Sequence, residues 1–418
     1  MHGFIGLLGI IVLLGIAWLA SEHRRHIQWQ TILVGLGLQL SLAMFVLWVP
    51  FGKTVFETLG SGFVKLVGFT QAGSSFIFGD LANAGESGFI IAFQVLPTII
   101  FFASLMACLY HIGIMQKLVE VMAWVMTRFM KVSGSESLAT AANSFVGQTE
   151  APLVVKPFIA GMTRSELFAL MTGGMATIAG GVLAAYVLLL GGIDPQAQAF
   201  YAKHLISASI MAAPAALLVA KLILPEREPS ETMGLVKTTV KREYTNLIEA
   251  AAGGAGEGLK LALNVGAMLL AFLALIALIN GPLGWLGHVS GLEALVGQPI
   301  ELALILGWIC APLAFIVGVP LDEAVTVGGL IGQKVVANEF VAYVALTEIQ
   351  DQLSERAVLI STYALCGFAN FASIAIQIGG IGSLAPERRP ELAQLGLKAI
   401  LGGTIVSLLN AAWAGILT

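Results

Sequence analysis

The feature that most limits how this chain can fold is its series of apolar runs about twenty residues long, the length an α-helix needs to cross the hydrocarbon core of a bilayer. These runs occupy 3–20, 30–50, 88–111, 166–192, 199–224, 258–280, 356–382 and 394–417. Composition agrees with them: 57% of the 418 residues are apolar, 11% are charged, and mean hydropathy is +0.90. A soluble domain carries about 25% charged residues, so a water-soluble fold is excluded. The expected class is an all-α polytopic membrane protein with about eight transmembrane helices. No polar segment is long enough to build an extramembrane globular domain. The 48 glycines suit helices that pack closely or break inside the bilayer.

The first run has no basic residues before it and is followed by Ser21-Glu22-His23-Arg24-Arg25-His26, so it reads as a span rather than a signal peptide. Its positive flank predicts an N-terminus outside the cytoplasm. Alternating the spans from there places fifteen Lys and Arg residues on the cytoplasmic side, among them Arg164, Lys221 and Arg388. Four fall on the other side: Lys53, Lys65, Lys203 and Arg356. Eight spans then put both termini outside. Trp18, Trp29 and Trp48 read as interfacial anchors. Residues 53–70 and 115–131 mix apolar and charged positions and read as interfacial amphipathic helices. Residues 225–245 are the only long polar linker, expected as a simple connector.

Several function classes drop out. A net charge of −4 argues against nucleic acid as a partner. Cys108, Cys310 and Cys366 form neither a disulfide framework nor a zinc motif. Gly52-Lys53-Thr54 lacks the upstream glycine of a phosphate loop, so nothing suggests direct ATP drive. HExxH and GxSxG are absent, which weakens an intramembrane hydrolase. The six histidines are read as lying at ends and loops, which argues against a buried histidine proton relay.

Two stretches, 133–165 and 303–345, are too polar and glycine-rich for ordinary spans and too apolar for loops. Each has an acidic residue near its start, a Gly-Gln pair and then a glutamate, and each is followed by Ser-Glu, expected to cap a new helix. That helix then breaks at a small or polar patch: Ala176-Thr177-Ile178-Ala179-Gly180-Gly181 in one unit, Gly367-Phe368-Ala369-Asn370-Phe371-Ala372-Ser373 in the other. Glu150 and Glu339 are 189 residues apart, as are Ser165 and Ser354. The topology makes this an inverted repeat of re-entrant hairpin plus broken helix, a transporter plan with its site near the bilayer midplane. Non-helical backbone is tolerated at that depth only where protein or a water-filled cavity satisfies it.

Glu150 and Glu339 sit at the hairpin breaks among apolar neighbours, where a carboxylate is costly and marks a functional site. The competing reading of each is a glutamate capping a half-helix. Gln148, Thr149 and Asn338 lie beside them and suit a neutral polyhydroxylated or heterocyclic solute. Asn370 and Ser373 share a helix face, with Phe368 nearby, and read either as site residues or as interhelical glue. Asn143, Thr177 and the carbonyls near Val146 and Ile178 are hard oxygen donors, for which a sodium site is one reading among several.

Gly147-Gln148-Thr149-Glu150-Ala151-Pro152, Asn264-Val265-Gly266-Ala267-Met268, Ala337-Asn338-Glu339-Phe340-Val341-Ala342-Tyr343 and Cys366-Gly367-Phe368-Ala369-Asn370 resemble the signature segments of the concentrative nucleoside transporters. The resemblance runs over essentially the whole chain and implies a bacterial inner-membrane homotrimer with elevator-type alternating access and no catalytic cofactor. It implies that Gln148, Thr149 and Glu150 contact the nucleobase, with Val182 and Leu261 as apolar packing. Glu339, Asn370 and Ser373 would bind the ribose hydroxyls, and Phe368 would line the pocket. Asn143 and Thr177, with the carbonyls of Val146 and Ile178, would hold sodium as the coupling ion. The implied substrates are of the uridine, cytidine and adenosine type. The implied layout is residues 1–132 with 245–300 as trimer scaffold, 133–224 as transport repeat 1, 225–300 as linker, interfacial helix and scaffold helix, and 301–418 as transport repeat 2. Proton coupling is the alternative within this class. A non-transporting nucleoside-binding membrane enzyme or receptor is the alternative outside it.

Overall fold

The computed structural model describes residues 2–83, 89–234 and 244–418. It is all-helical, with one isolated bridge, Ser133 to Met233, outside the helices of the described residues. The N-terminal part comprises α1 (His2–Leu19), α2 (Trp29–Leu47), the long α3 (Pro50–Phe78), the short α4 (Ile91–Gln94), α5 (Leu96–His111) and α6 (Ile114–Met130). Next come α7 (Gly134–Asn143), α8 (Ala151–Val154), α9 (Arg164–Ala176), α10 (Gly180–Gly191) and α11 (Pro195–Ile223). The 44-residue α12 (Leu247–Ser290) and short α13 (Leu292–Val296) lead to α14 (Leu302–Ile316), α15 (Ala324–Val336) and α16 (Glu339–Ile349). The chain finishes with α17 (Glu355–Leu365), α18 (Phe371–Leu384) and α19 (Arg389–Leu417).

Six helical segments among the described residues are long and apolar enough to cross a membrane: Trp29–Leu47, Ile91–His111, Arg164–Gly191, Pro195–Ile223, Leu247–Ser290 and Pro386–Leu417. α1, α14, α15 and α18 are apolar but shorter. The helix expected over 53–70 is longer, Pro50–Phe78, and that expected over 115–131 is shifted by one residue, Ile114–Met130. α6 buries Met115, Val119, Ala123, Met126 and Met130 at spacings of three and four, while Lys117 and Arg128 stay exposed on the other side. The expected span 258–280 is only the middle of α12, which at 1.5 Å per residue is about 66 Å long. The start of the expected 88–111 span and much of the 225–245 linker lie outside the described residues.

Packing separates two environments. α12 lies along α5 and is exposed along most of its length, with Leu263, Leu270, Leu278 and Trp285 uncovered. α9, α10, α11 and α19 are almost wholly buried and form the core with α7, α16 and α17. Both broken helices appear. α9 stops at Ala176 and α10 starts at Gly180; α17 stops at Leu365 and α18 starts at Phe371. The two breaks touch. Gly367 has φ +140°, and a Cβ there would lie 3.0 Å from the carbonyl oxygens of Met175 and Ala176, so both conformation and space require glycine.

Four expectations need correction. The first-unit helix is capped by Thr163, not Ser165: Thr163 Oγ1 accepts from Glu166 N at 3.1 Å and Glu166 Oε2 accepts from Thr163 N at 2.8 Å. Thr-x-x-Glu is a complete capping box, which the Ser-Glu pair is not. In the second unit Ser354 does cap α17. The stretch 303–345 holds a separate helix, α14, before the hairpin arms α15 and α16. His204 is not at an end; it is buried inside α11, its Nδ1 3.0 Å from Tyr363 Oη. The polar linker is more than a connector. Gly134 N donates to Thr232 O at 2.9 Å and Ser230 Oγ to Glu166 Oε1 at 2.5 Å, which ties it to the base of the first hairpin.

Candidate functional site

The site is assembled from helix ends. Asn338 and Asn370 are the N-caps of α16 and α18: Asn338 Oδ1 accepts from Val341 N and Asn370 Oδ1 from Ser373 N, both at 2.9 Å. Asparagine is a strong N-cap because its short side chain reaches an orphan amide of the first turn. The cap sets Glu339 in the first turn of α16, at the positive end of the helix dipole. Its carboxylate is buried and doubly held. Tyr186 Oη donates to Oε1 at 2.7 Å, and Asn370 Nδ2 donates to Oε2 at 3.1 Å.

The network continues from there. Gln148 Nε2 donates to Ser373 Oγ at 3.0 Å, and Gln377 Nε2 donates to Gln148 Oε1 and to Met171 O, each at 3.0 Å. A continuous polar chain therefore runs from Tyr186 on α10 through Glu339, Asn370, Ser373, Gln148 and Gln377 to the backbone of α9. It joins the first hairpin, both broken helices and the second hairpin. Gly174 makes room for it, since a Cβ there would meet Gln377 Nε2 at 2.7 Å and Gln148 Cβ at 2.9 Å. In a low-dielectric interior such a network holds a defined geometry only while its members are paired.

The sequence-derived residues divide. Gln148, Glu339, Asn370 and Ser373 are bonded together as described. Thr149 packs against α18, its Cγ2 3.1 Å from where a Cβ of Gly380 would stand. Phe368 is half-buried; its N–H donates to Thr177 O at 3.3 Å and its carbonyl accepts from Asn370 N at 2.8 Å. Val182 is buried on α10 and Leu261 half-buried on α12; neither has a polar tie to the network. Glu150 is exposed, with its carboxylate folded back over Gly147, so the two glutamates of the repeat have different environments. Tyr186 and Gln377 escaped the sequence reading. Gln377 left a signal: Asn370, Ser373 and Gln377 are three and four residues apart and form a polar stripe on apolar α18. Tyr186 sits in the apolar run of α10 and left none.

A second cluster surrounds the first break. Asn143 is fully buried and neither amide atom has a hydrogen-bond partner. Thr177 Oγ1 donates to Gly173 O at 2.9 Å, leaving its lone pairs unused by that bond. The hairpin tip docks on the break through Gly180 N, which donates to Phe145 O at 2.9 Å. Among the described residues, no hydrogen bond reaches the carbonyls of Val146 or Ile178. Unpartnered buried polar atoms are rare and call for a ligand or water. All four groups offer neutral oxygens, the kind that suits a hard cation such as sodium. No cluster of three His, Cys, Asp or Glu able to hold a metal occurs among the described residues.

With this geometry in place, comparison with known proteins is decisive. Residues 8–81 match the Na+ dependent nucleoside transporter N-terminus, 204–415 match the corresponding C-terminus, and 92–193 match a segment described as nucleoside recognition. The chain belongs to the concentrative nucleoside transporter family. The family's relatives include an uncharacterized transporter, YutK, of Bacillus subtilis, 47% identical over 98% of both chains. Sodium/nucleoside cotransporter 1 of Rattus norvegicus is 42% identical over 98% of this chain, which spans 63% of the rat protein. Among solved family structures, CNTnw in an inward-facing substrate-bound state is 43% identical and superposes with a TM-score of 0.89, over 100% of this chain and 98% of that one. A doubly substituted variant of CNTnw has also been solved in an outward-facing state. Named relatives in this family are transporters and permeases rather than enzymes, and the multi-pass helical architecture agrees.

Proposed function

We propose that this chain is a secondary active symporter that imports nucleosides across a bacterial inner membrane, driven by the sodium gradient. The observation that carries the reading is the buried Glu339 carboxylate, held by Tyr186 and Asn370 where the second hairpin meets both broken helices. A carboxylate in that position accepts the two ribose hydroxyls as charge-assisted hydrogen bonds, the stronger kind. Asn370 and Ser373 complete the ribose end. Gln148, Thr149 and Glu150 recognise the base, with Val182, Leu261 and Phe368 as apolar walls.

Sodium at Asn143, Thr177 and the Val146 and Ile178 carbonyls would order the hairpin tip against the break before substrate arrives. Gln148 follows that tip by one turn of chain, so ion and nucleoside share one structural element and their affinities are coupled. The exposed face of α12 suits a homotrimer scaffold built from residues 1–132 and 245–300. The buried repeats 133–224 and 301–418 then move against it as an elevator, with both termini outside. Outward- and inward-facing structures solved for CNTnw support alternating access for this fold.

The test is accumulation of unmodified radiolabelled uridine in proteoliposomes, in sodium against choline at fixed pH. Sodium-dependent uptake against the gradient is expected. Uptake that ignores sodium but follows an imposed pH gradient would replace sodium by protons, and absence of any accumulation would remove the transport reading.

A further inference from the structure

Lys334 is among the largest fully buried side chains of the molecule, and no carboxylate pairs with it among the described residues. A buried ammonium without a counter-ion is costly unless other groups replace its hydration. The partners of Lys334 lie at the second helix break. Nζ donates to Ala364 O and to Ser407 Oγ, each at 2.9 Å, and Ser407 Oγ is 3.0 Å from Cys366 O. Ala364 and Cys366 bracket the C-terminal end of α17, where orphan carbonyls and the negative end of the helix dipole gather. Lysine is therefore bound there as a cation is bound, by neutral oxygens at a helix C-terminus.

The repeat relation shows what that position corresponds to. The helix starts register at 191 residues, both for the caps Thr163 and Ser354 and for the post-break starts Gly180 and Phe371, and at that offset Asn143 maps to Lys334 and Thr177 to Phe368. The first repeat thus presents an amide, a hydroxyl and unpartnered carbonyls at its break. The second repeat has no hydroxyl in the place of Thr177 and carries Lys334 in the place of Asn143. The two breaks are also in direct contact, through Phe368 N on Thr177 O and Gly367 on Met175 and Ala176.

We propose that Lys334 is a tethered cation, filling permanently in repeat 2 the place that a mobile cation fills in repeat 1. The second break is held ordered at all times, and only the first loads and unloads, which leaves one exchangeable cation per protomer. Through Phe368 and Gly367 the ordered second break supports the backbone beside the Ile178 carbonyl. Lys334 is on this account a positioning residue for the ion site. The proposal rests on the reading of Asn143 and Thr177 as a sodium site, and its test separates the two.

Uridine binding to purified wild type, K334M, K334A and S407A is measured by calorimetry across a sodium titration balanced with choline. K334M, uncharged and similar in length, is expected to raise half-saturating sodium by about tenfold or more, within the usual range of site coupling. K334A vacates the place, so sodium enters it as well and the Hill slope rises from about 1 toward about 2. Ethylammonium added to K334A restores uridine binding by supplying the missing cation. S407A keeps the charge but removes one of its two partners, giving a smaller, severalfold rise. Wild-type half-saturation and slope in both lysine variants would overturn the proposal. So would a weakened K334A with unchanged slope and no ethylammonium rescue, because a packing role predicts that result. Should neither lysine variant fold, unaltered sodium half-saturation in S407A overturns it. Should wild type show no sodium dependence, the sodium site fails instead, and ethylammonium rescue of K334A alone decides whether Lys334 acts as a cation.

Discussion

Tyr186 and Glu339, 153 residues apart, share a 2.7 Å hydrogen bond that joins the half-helix after the first break to the first turn of the second hairpin's second arm, α16. Tyr186 is fully buried beneath the rings of Phe340 and Tyr343, so its hydroxyl has one fixed direction. The carboxylate it addresses is thereby oriented before any ligand arrives. Such preorganisation raises affinity by reducing the ordering cost of binding.

Tyr186→Phe is expected to keep the fold and the ring contacts while leaving Glu339 with one partner fewer. The loss of a buried hydrogen bond to a charged group costs about 1.5–3 kcal/mol, so uridine affinity should fall by roughly tenfold to 150-fold. Glu339→Gln should abolish uptake while the protein still inserts. Equilibrium binding of uridine and of 2′- and 3′-deoxyuridine checks both. Wild-type affinity in Glu339→Gln would remove the ribose assignment.

Gln377→Leu tests the other end of the polar chain. Gln377 fixes Gln148 from one side and the Met171 carbonyl from the other. Its loss should free the Gln148 amide to rotate and change the preference among uridine, cytidine and adenosine. Discrimination against deoxyribose, which depends on Glu339, should stay as in wild type. Competition uptake with both sets of analogues measures the two ratios separately; parallel loss of both would show that the base and ribose ends are not distinct.

The parts of this architecture that follow from local pattern could be read directly. Spans, amphipathic helices and the matched positions of Glu150 and Glu339 are properties of short windows plus one nearly constant offset. Residues defined by their partners could not be read that way. Tyr186 is one aromatic residue in an apolar helix until the fold brings Glu339 to it, and Lys334 is an unexplained charge until the end of α17 is placed beside it. Gln377 lies between these cases: its stripe with Asn370 and Ser373 is visible in the sequence, but only the fold brings Gln148 to it. The matched glutamates also diverged. The offset predicts equal backbone positions, whereas burial depends on what covers each tip, and only Glu339 is covered.

At the first break, Thr177→Val preserves side-chain shape and removes the hydroxyl, while Asn143→Ala removes an amide that has no protein partner. A structural asparagine lacking hydrogen bonds would be neutral or stabilising to remove, because its desolvation is uncompensated. An ion ligand would not. Both substitutions should raise half-saturating sodium for uptake by about tenfold or more, with little loss of thermal stability in sodium-free buffer. Unchanged sodium dependence in both would dissolve the ion site.

Gly367→Ala should be among the more damaging single-atom changes outside the ligand contacts. Its φ of +140° is open essentially to glycine alone, and the new Cβ would press on the Met175 and Ala176 carbonyls at 3.0 Å. Strained backbone of this kind costs about 1–3 kcal/mol, and the strain falls where the two breaks cross. Lower melting temperature in detergent, together with lost uridine binding, is the expected result. A variant that melts and binds like wild type would show that the crossing tolerates separation.

The last prediction concerns the loop between α1 and α2. Glu22 lies 3.3 Å from Arg164 Nη2 and 2.5 Å from Lys398 Nζ, and so links this loop to the start of α9 and to the third turn of α19. Partial burial pushes its carboxyl up, but the Lys398 hydrogen bond and the charges of Lys398 and Arg164 outweigh that and hold it below the usual glutamate value. A lowered folded value means that the unfolded chain takes up the proton first as pH falls. The stabilisation is therefore complete above the ordinary glutamate range near pH 4.3 and is lost as pH drops through the lower folded value. Glu22→Gln should melt below wild type at pH 7, and the difference should close as the pH is lowered through about 4. Melting curves in detergent at several pH values measure it, and high salt should shrink it because the pair is partly exposed. A gap that persisted unchanged into acid would show that Glu22 acts through its packing and not through its charge.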